Sequence, residues 1–168
     1  MSVHFLRSLS VLGLSALLWG AVPPESPVAD AAMRADLDKV RLLLRGGADV
    51  NVAQGDGMTA LHWSAENRSA EMAAMLIYAG ANVEALTRIG GYTSLHLASR
   101  AGSAAVVQEL LEAGANPAVR SSAGGATPLH FAASASSKGS VISLLDHGAK
   151  IDARESAWEQ TPLMFAAS

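Results

Sequence analysis

Apolar positions along the chain keep two rhythms. Val40, Leu43 and Leu44, then Val107, Leu110 and Leu111, then Val141, Leu144 and Leu145 recur at i, i+3 and i+4. That spacing lines one face of a helix and predicts amphipathic α-helices. Between them come shorter segments with a fixed order of residues: "MTALHWSA", "YTSLHLAS", "ATPLHFAA" and "QTPLMFAA". A Thr opens each helix, because its hydroxyl can accept from the free amides of a first turn. Pro128 and Pro162 follow directly, at the helical position where a missing amide costs nothing. Leu61, Leu95, Leu129 and Leu163 come next and are expected to point inward, followed by small pairs such as Ala132-Ala133 that allow close helix approach. Gly47, Gly80, Gly114 and Gly148 close the longer helices, where a left-handed cap is expected. Stretches such as "ANVEALTRIGGY" are β-branched or polar and read as extended, hairpin-like loops. The glycine pairs at 90–91 and 124–125 supply their turns.

The elements recur at a fixed period. Thr59, Thr93, Thr127 and Thr161 are 34 residues apart, and a weaker copy, "SPVADAAMRAD", starts 33 residues before Thr59. A Gly-Ala pair follows 21 residues after each of the first four starts. Self-similarity at such a period is the signature of a solenoid, in which each unit buries its apolar face only against its neighbours.

Residues 1–25 are different in kind. Arg7 and the amino terminus precede 15 uncharged residues from Ser8 to Val22, and Pro23 and Pro24 then stop any helix. A membrane-spanning helix needs roughly 20 apolar residues, so the layout reads as a secretory signal peptide. The cut falls near Gly20 and Ala21, although Leu18 and Trp19 are large for the positions before it. An uncleaved anchor and a buried helix are the competing readings.

The phrase "TPLHFAA" at 127–133 and the Gly-Ala landmark followed by Asp49, Asn82 or Asn116 resemble the ankyrin repeat. The resemblance covers 26–168, as units 26–58, 59–92, 93–126 and 127–160 and a partial fifth at 161–168. It implies an all-α ankyrin-repeat solenoid of stacked helix-turn-helix units with β-hairpin-like loops, and the whole chain is similar to exported bacterial ankyrin repeat proteins. Ala60 and Ser94 stand where the family has Pro. The family's glycine between the two helices survives only as Gly102, with Ala35, Arg68 and Ser136 elsewhere. The partial fifth unit leaves Leu163, Met164 and Phe165 near an open end, which reads as a fragment of a longer array.

His62, His96 and His130 share one register and are the obvious candidates for chemistry. Packed helices lie about 8–10 Å apart, whereas two ligands of one zinc, each about 2 Å from it, lie within about 4 Å of one another. Equivalent imidazoles in successive units therefore cannot share a metal. The resemblance implies instead that this His ties the helix start to the adjacent loop. Met164 takes its place in the last unit. His147, beside a helix C-terminus, complements the helix dipole. Glu109, Glu112, Asp146 and Asp152 have no convergent partners, and neither "GGADV" nor "GGATP" has the lysine of a phosphate loop.

Composition narrows the function classes further. The net charge is −3 and no two of the 12 basic residues are adjacent, unlike the clustered Lys and Arg of a nucleic-acid binder. There are no cysteines, hence no disulfide, thiol nucleophile or Cys-based zinc site. The expectation is a non-catalytic module with no metal, cofactor or small-molecule substrate. Its partner is another protein, bound on the concave face that the resemblance implies. The residues expected there are Met58, Trp63, Asn67, Arg88, Tyr92, Arg100 and Trp158, since Trp, Tyr and Arg are frequent hot spots. The leader places the protein in the periplasm or secreted, or, if uncleaved, membrane-anchored with the repeats outside the cytoplasm. A second reading makes the repeats a regulatory or targeting arm of an enzyme with its catalytic domain beyond residue 168.

Overall fold

The phrases opening at Thr59, Thr93 and Thr127 each fold into a seven-residue helix, and the Thr occupies the N-cap in extended backbone. The structure, a computed structural model, describes residues 25–167. Residues 1–24 of the expected signal peptide lie outside them.

Among the described residues there are nine α-helices and no strand. Short helices α1 (Pro27–Met33), α3 (Ala60–Glu66), α5 (Ser94–Arg100), α7 (Pro128–Ser134) and α9 (Pro162–Ala166) stack on one another. Longer helices α2 (Leu37–Arg45), α4 (Ala70–Tyr78), α6 (Ala104–Glu112) and α8 (Lys138–Asp146) each return against the preceding short one. α4, α6 and α8 form a second layer, whereas a cavity of about 320 Å³ between α2 and α4 is lined by Arg41, Leu44, Met75 and Tyr78.

The core runs the length of the stack. Leu61, Leu95 and Leu129 are buried under the second layer, together with Val40, Leu76, Leu110 and Leu144. Burying each such side chain contributes about 2 kcal/mol. Leu163 occupies the same register but is 78% exposed, because no described helix lies over α9.

The second helices begin at Asp36, Ser69, Ser103 and Ser137. Asp36, Ser69 and Ser137 accept the backbone N–H of Lys39, Met72 and Ser140, so these N-caps satisfy amides that have no intrahelical partner. Just before them the chain must turn through the left-handed region. Gly102 does so at φ 69°, and Ala35, Arg68 and Ser136 do so at φ 56°, 56° and 52°. Three of the four units therefore carry a side chain where the backbone favours none.

The loops are hairpin-like without forming strands. Thr87, Ser121 and Glu155 donate their N–H groups to the carbonyls of Tyr92, Ala126 and Gln160, closing the second, third and fourth loops. Neighbouring loops are then linked by a recurring bond: Arg88 N–H to the Asp56 carbonyl, Ser122 N–H to that of Gly90, and Ser156 N–H to that of Gly124. The repeats are thus joined by backbone hydrogen bonds along the loop edge and by apolar packing through the helices.

Candidate functional site

The three histidines form the joints between units. Nδ1 of His96 accepts the Thr93 N–H at 3.1 Å, with the Thr93 hydroxyl at 3.0 Å. Nδ1 is therefore the unprotonated nitrogen, and Nε2–H donates to the Ala126 carbonyl at 3.2 Å. His62 and His130 repeat this with Thr59 and Tyr92, and with Thr127 and Gln160. Each arrangement is a capping box with His where Glu or Gln is usual. The carbonyl gripped in each case is the one that closes the loop leading into the next unit, so its two lone pairs serve two donors. Burial lowers the pKa of all three rings, to about 4 for His96, against a smaller opposing effect of their hydrogen bonds to carbonyls. Among the described residues no three His, Asp or Glu side chains are grouped to hold a metal ion. The His147 ring donates to the Ser143 carbonyl in the last turn of α8.

Where the second loop meets the inner helices, Met58, Trp63, Tyr92 and Arg100 line a single open cavity of about 430 Å³. Four of the seven residues expected on the partner face are thereby brought together. Trp63 is half-buried: it packs against the core, donates its indole N–H to Gln54 at 2.7 Å, and still faces the cavity. Tyr92 lies edge-on to His96 and Phe131, with ring centroids 5.8 and 5.7 Å away. The Arg100 guanidinium is 5.9 Å from the Tyr92 ring centre and pairs with Glu66. Asp56, Glu66, Thr87, Ile89 and Leu97 complete the lining of the cavity. Asp56 stands on the first loop, where its carboxylate accepts the Met58 N–H at 2.9 Å.

The other three expected residues lie outside this cavity. Asn67 donates its side-chain amide to the Ala32 carbonyl at 2.7 Å, tying α3 to the end of α1. Arg88 donates to the Gly55 carbonyl at 2.8 Å and so braces one loop against the previous one. Trp158 stands at the tip of the fourth loop, 81% exposed. Its backbone is held by Glu155, whose carboxylate accepts the N–H groups of Ala157, Trp158 and Gln160. Burial works against this carboxylate, but the three N–H bonds outweigh it and keep its pKa below the usual range. Glu159 follows at φ 57°, in the register of Gly91 and Gly125.

Sequence reasoning passed over Asp56, Gln54 and Glu155. For Glu155 a signal was present: it shares register with Thr87 and Ser121, which also tie their loops with side-chain oxygens.

Stacked helix pairs with a recurring histidine joint, carrying an open cavity between loops and short helices, define a repeat solenoid. A family model of three ankyrin repeats matches residues 28–121, and a single-repeat model matches 124–156. The chain belongs to the ankyrin repeat family, and ankyrin repeats are protein–protein interaction modules. No curated protein matches it.

Proposed function

We propose that this protein is a non-catalytic adaptor of exported bacterial type that binds a partner protein on the concave face made by its loops and inner helices. The observation that carries this reading is the convergence of Met58, Trp63, Tyr92 and Arg100 on one cavity, with Trp158 standing free further along the loop edge. Aromatic and arginine side chains that are partly desolvated yet reachable are the types that dominate binding energy. The recurring side chains that could do chemistry are committed to structure, since each histidine holds its own cap and the next loop. The apolar run from Ser8 to Val22 supports export to the periplasm or exterior. No described helix is long and apolar enough to cross a membrane.

Affinity capture from the extracytoplasmic fraction tests the face. Tyr92→Ala and Trp158→Ala are each expected to weaken retention of the captured protein, whereas undiminished capture by both variants rules the face out. Sequencing the amino terminus of the protein from its native host tests export. A start near residue 22 is expected, and a mature protein beginning at Met1 rules out cleavage.

A further inference from the structure

The cavity between the first two loops has a definite electrical character. Its charged groups are Asp56, Glu66 and Arg100. Arg100 and Glu66 neutralise each other, being paired across successive units. Asp56 has no ion-pair partner among the described residues, and its carboxylate spends one oxygen on the Met58 N–H. Asp56 is therefore the charged wall residue outside any ion pair among the described residues, since the neighbouring Arg88 spends its guanidinium on the Gly55 carbonyl. The remaining walls are the thioether of Met58, the side chains of Thr87, Ile89 and Leu97, and the rings of Trp63 and Tyr92. The Trp63 N–H is already taken by Gln54, so the indole offers its apolar surface. Arg100 shows how this wall accommodates a cation, with its guanidinium over the Tyr92 ring and against the Glu66 carboxylate.

The geometry points to a lysine or arginine side chain of the partner protein as the occupant of this cavity. Its aliphatic stem lies along Met58 and Ile89, and its charged head reaches the Asp56 carboxylate beside the aromatic rings. An aliphatic stem with a cationic head matches such a surface better than any other side chain, because the stem is desolvated while the charge remains satisfied. A carboxylate guest would face Asp56 unshielded, and a purely apolar guest would leave that charge without a counter-ion. This assignment rests on the concave-face reading above and specifies its ligand chemistry.

The test uses the full chain and a set of capped pentapeptides, Gly-Leu-X-Leu-Gly, with X as arginine, lysine, norleucine or glutamate. Binding is followed by the NMR shift of the Trp63 indole N–H, assigned against Trp63→Phe. The arginine and lysine peptides are expected to saturate this shift and to bind about fivefold tighter than norleucine, the scale of one exposed ion pair plus a cation–π contact. Asp56→Asn keeps an oxygen for the Met58 N–H while removing the charge, and it is expected to cut that preference to about twofold, the share of the cation–π contact. Equal binding of norleucine, or tighter binding of glutamate, overturns the cationic assignment while leaving a partner face in place. Absence of any shift at Trp63 with all four peptides overturns the assignment too. Loss of capture in Tyr92→Ala would then still support the broader reading, so the two failures are distinguishable.

Discussion

The Nε2 of His96 lies 3.2 Å from the carbonyl oxygen of Ala126, thirty residues further along the chain. That carbonyl closes the third loop, and Nδ1 of the same ring holds the cap of α5. One buried imidazole thus fixes the start of its own helix and the position of the next unit. Its removal orphans the Thr93 N–H and strips the Ala126 carbonyl of one of its donors.

His96→Ala is therefore expected to destabilise the fold by about 3 kcal/mol, combining lost packing with unsatisfied buried groups. Urea unfolding of the variant checks this. A loss below about 1 kcal/mol, the net worth of one ordinary hydrogen bond, would mean that the joint is not the linchpin described.

The same rings make stability depend on pH. Burial lowers the pKa of His62, His96 and His130 in the folded state, to about 4 for His96. At pH values above the ordinary 6.5 the rings are neutral in both states and the full stability is present. As pH falls from 6.5 towards 4, the unfolded chain takes up protons that the buried rings refuse, so stability falls. His96 alone accounts for a loss of about 3 kcal/mol across this window. Urea midpoints measured between pH 8 and 4 should be level at first and then decline; a flat profile down to pH 4 contradicts the neutral, buried state.

Arg68 occupies the left-handed region at φ 56° and makes no side-chain hydrogen bond or ion pair among the described residues, so its strain serves nothing visible. Arg68→Gly should stabilise the protein by about 1 kcal/mol, raising Tm by about 3 °C. The reciprocal change, Gly102→Ala, meets only ordinary contacts, the nearest being Ser137 Cβ at 3.5 Å. It should lower Tm by a similar amount through backbone strain alone. Calorimetry on both decides whether the strain is real.

Ser94 and Ser99 bury hydroxyls that have no hydrogen-bond partner among the described residues. Ser94 stands at the first helical position, where Pro128 and Pro162 occur in other units. Ser94→Pro and Ser99→Ala should each stabilise by about 1 kcal/mol, by removing an unsatisfied donor and, for proline, by restricting the unfolded chain. A lower urea midpoint in Ser94→Pro would show that the register of α5 differs from that of α7.

The helices, their Thr caps and the inter-helix turn at Gly102 were legible from residue order, because local propensity and periodicity act within a few residues. The substitution of Ala35, Arg68 and Ser136 for that glycine was visible too, but not that they keep its left-handed geometry; stacking on neighbouring units overrides their preference. Contacts between units were harder to read. Glu66 and Arg100 are one period apart, so they face each other across the stack, yet only the placement of Arg100 over Tyr92 reveals the cavity they share. Asn67 shared their apparent availability and turned out to be bonded to Ala32, since a backbone carbonyl leaves no mark in the sequence. Trp158 was readable as a loop residue, whereas the carboxylate cradle that holds its tip was not.

The first unit has Ser26 and Ala29 and holds its loop through Asp30 and Gln54, but the three joints that follow all use the same imidazole, the same threonine and a main-chain oxygen that any residue can supply. Nothing in such a coupling depends on which unit lies on either side. A gene encoding it can gain or lose whole units by unequal recombination, and each new junction arrives already fitted, while the loop-edge residues diversify without disturbing the hinge chemistry beneath them.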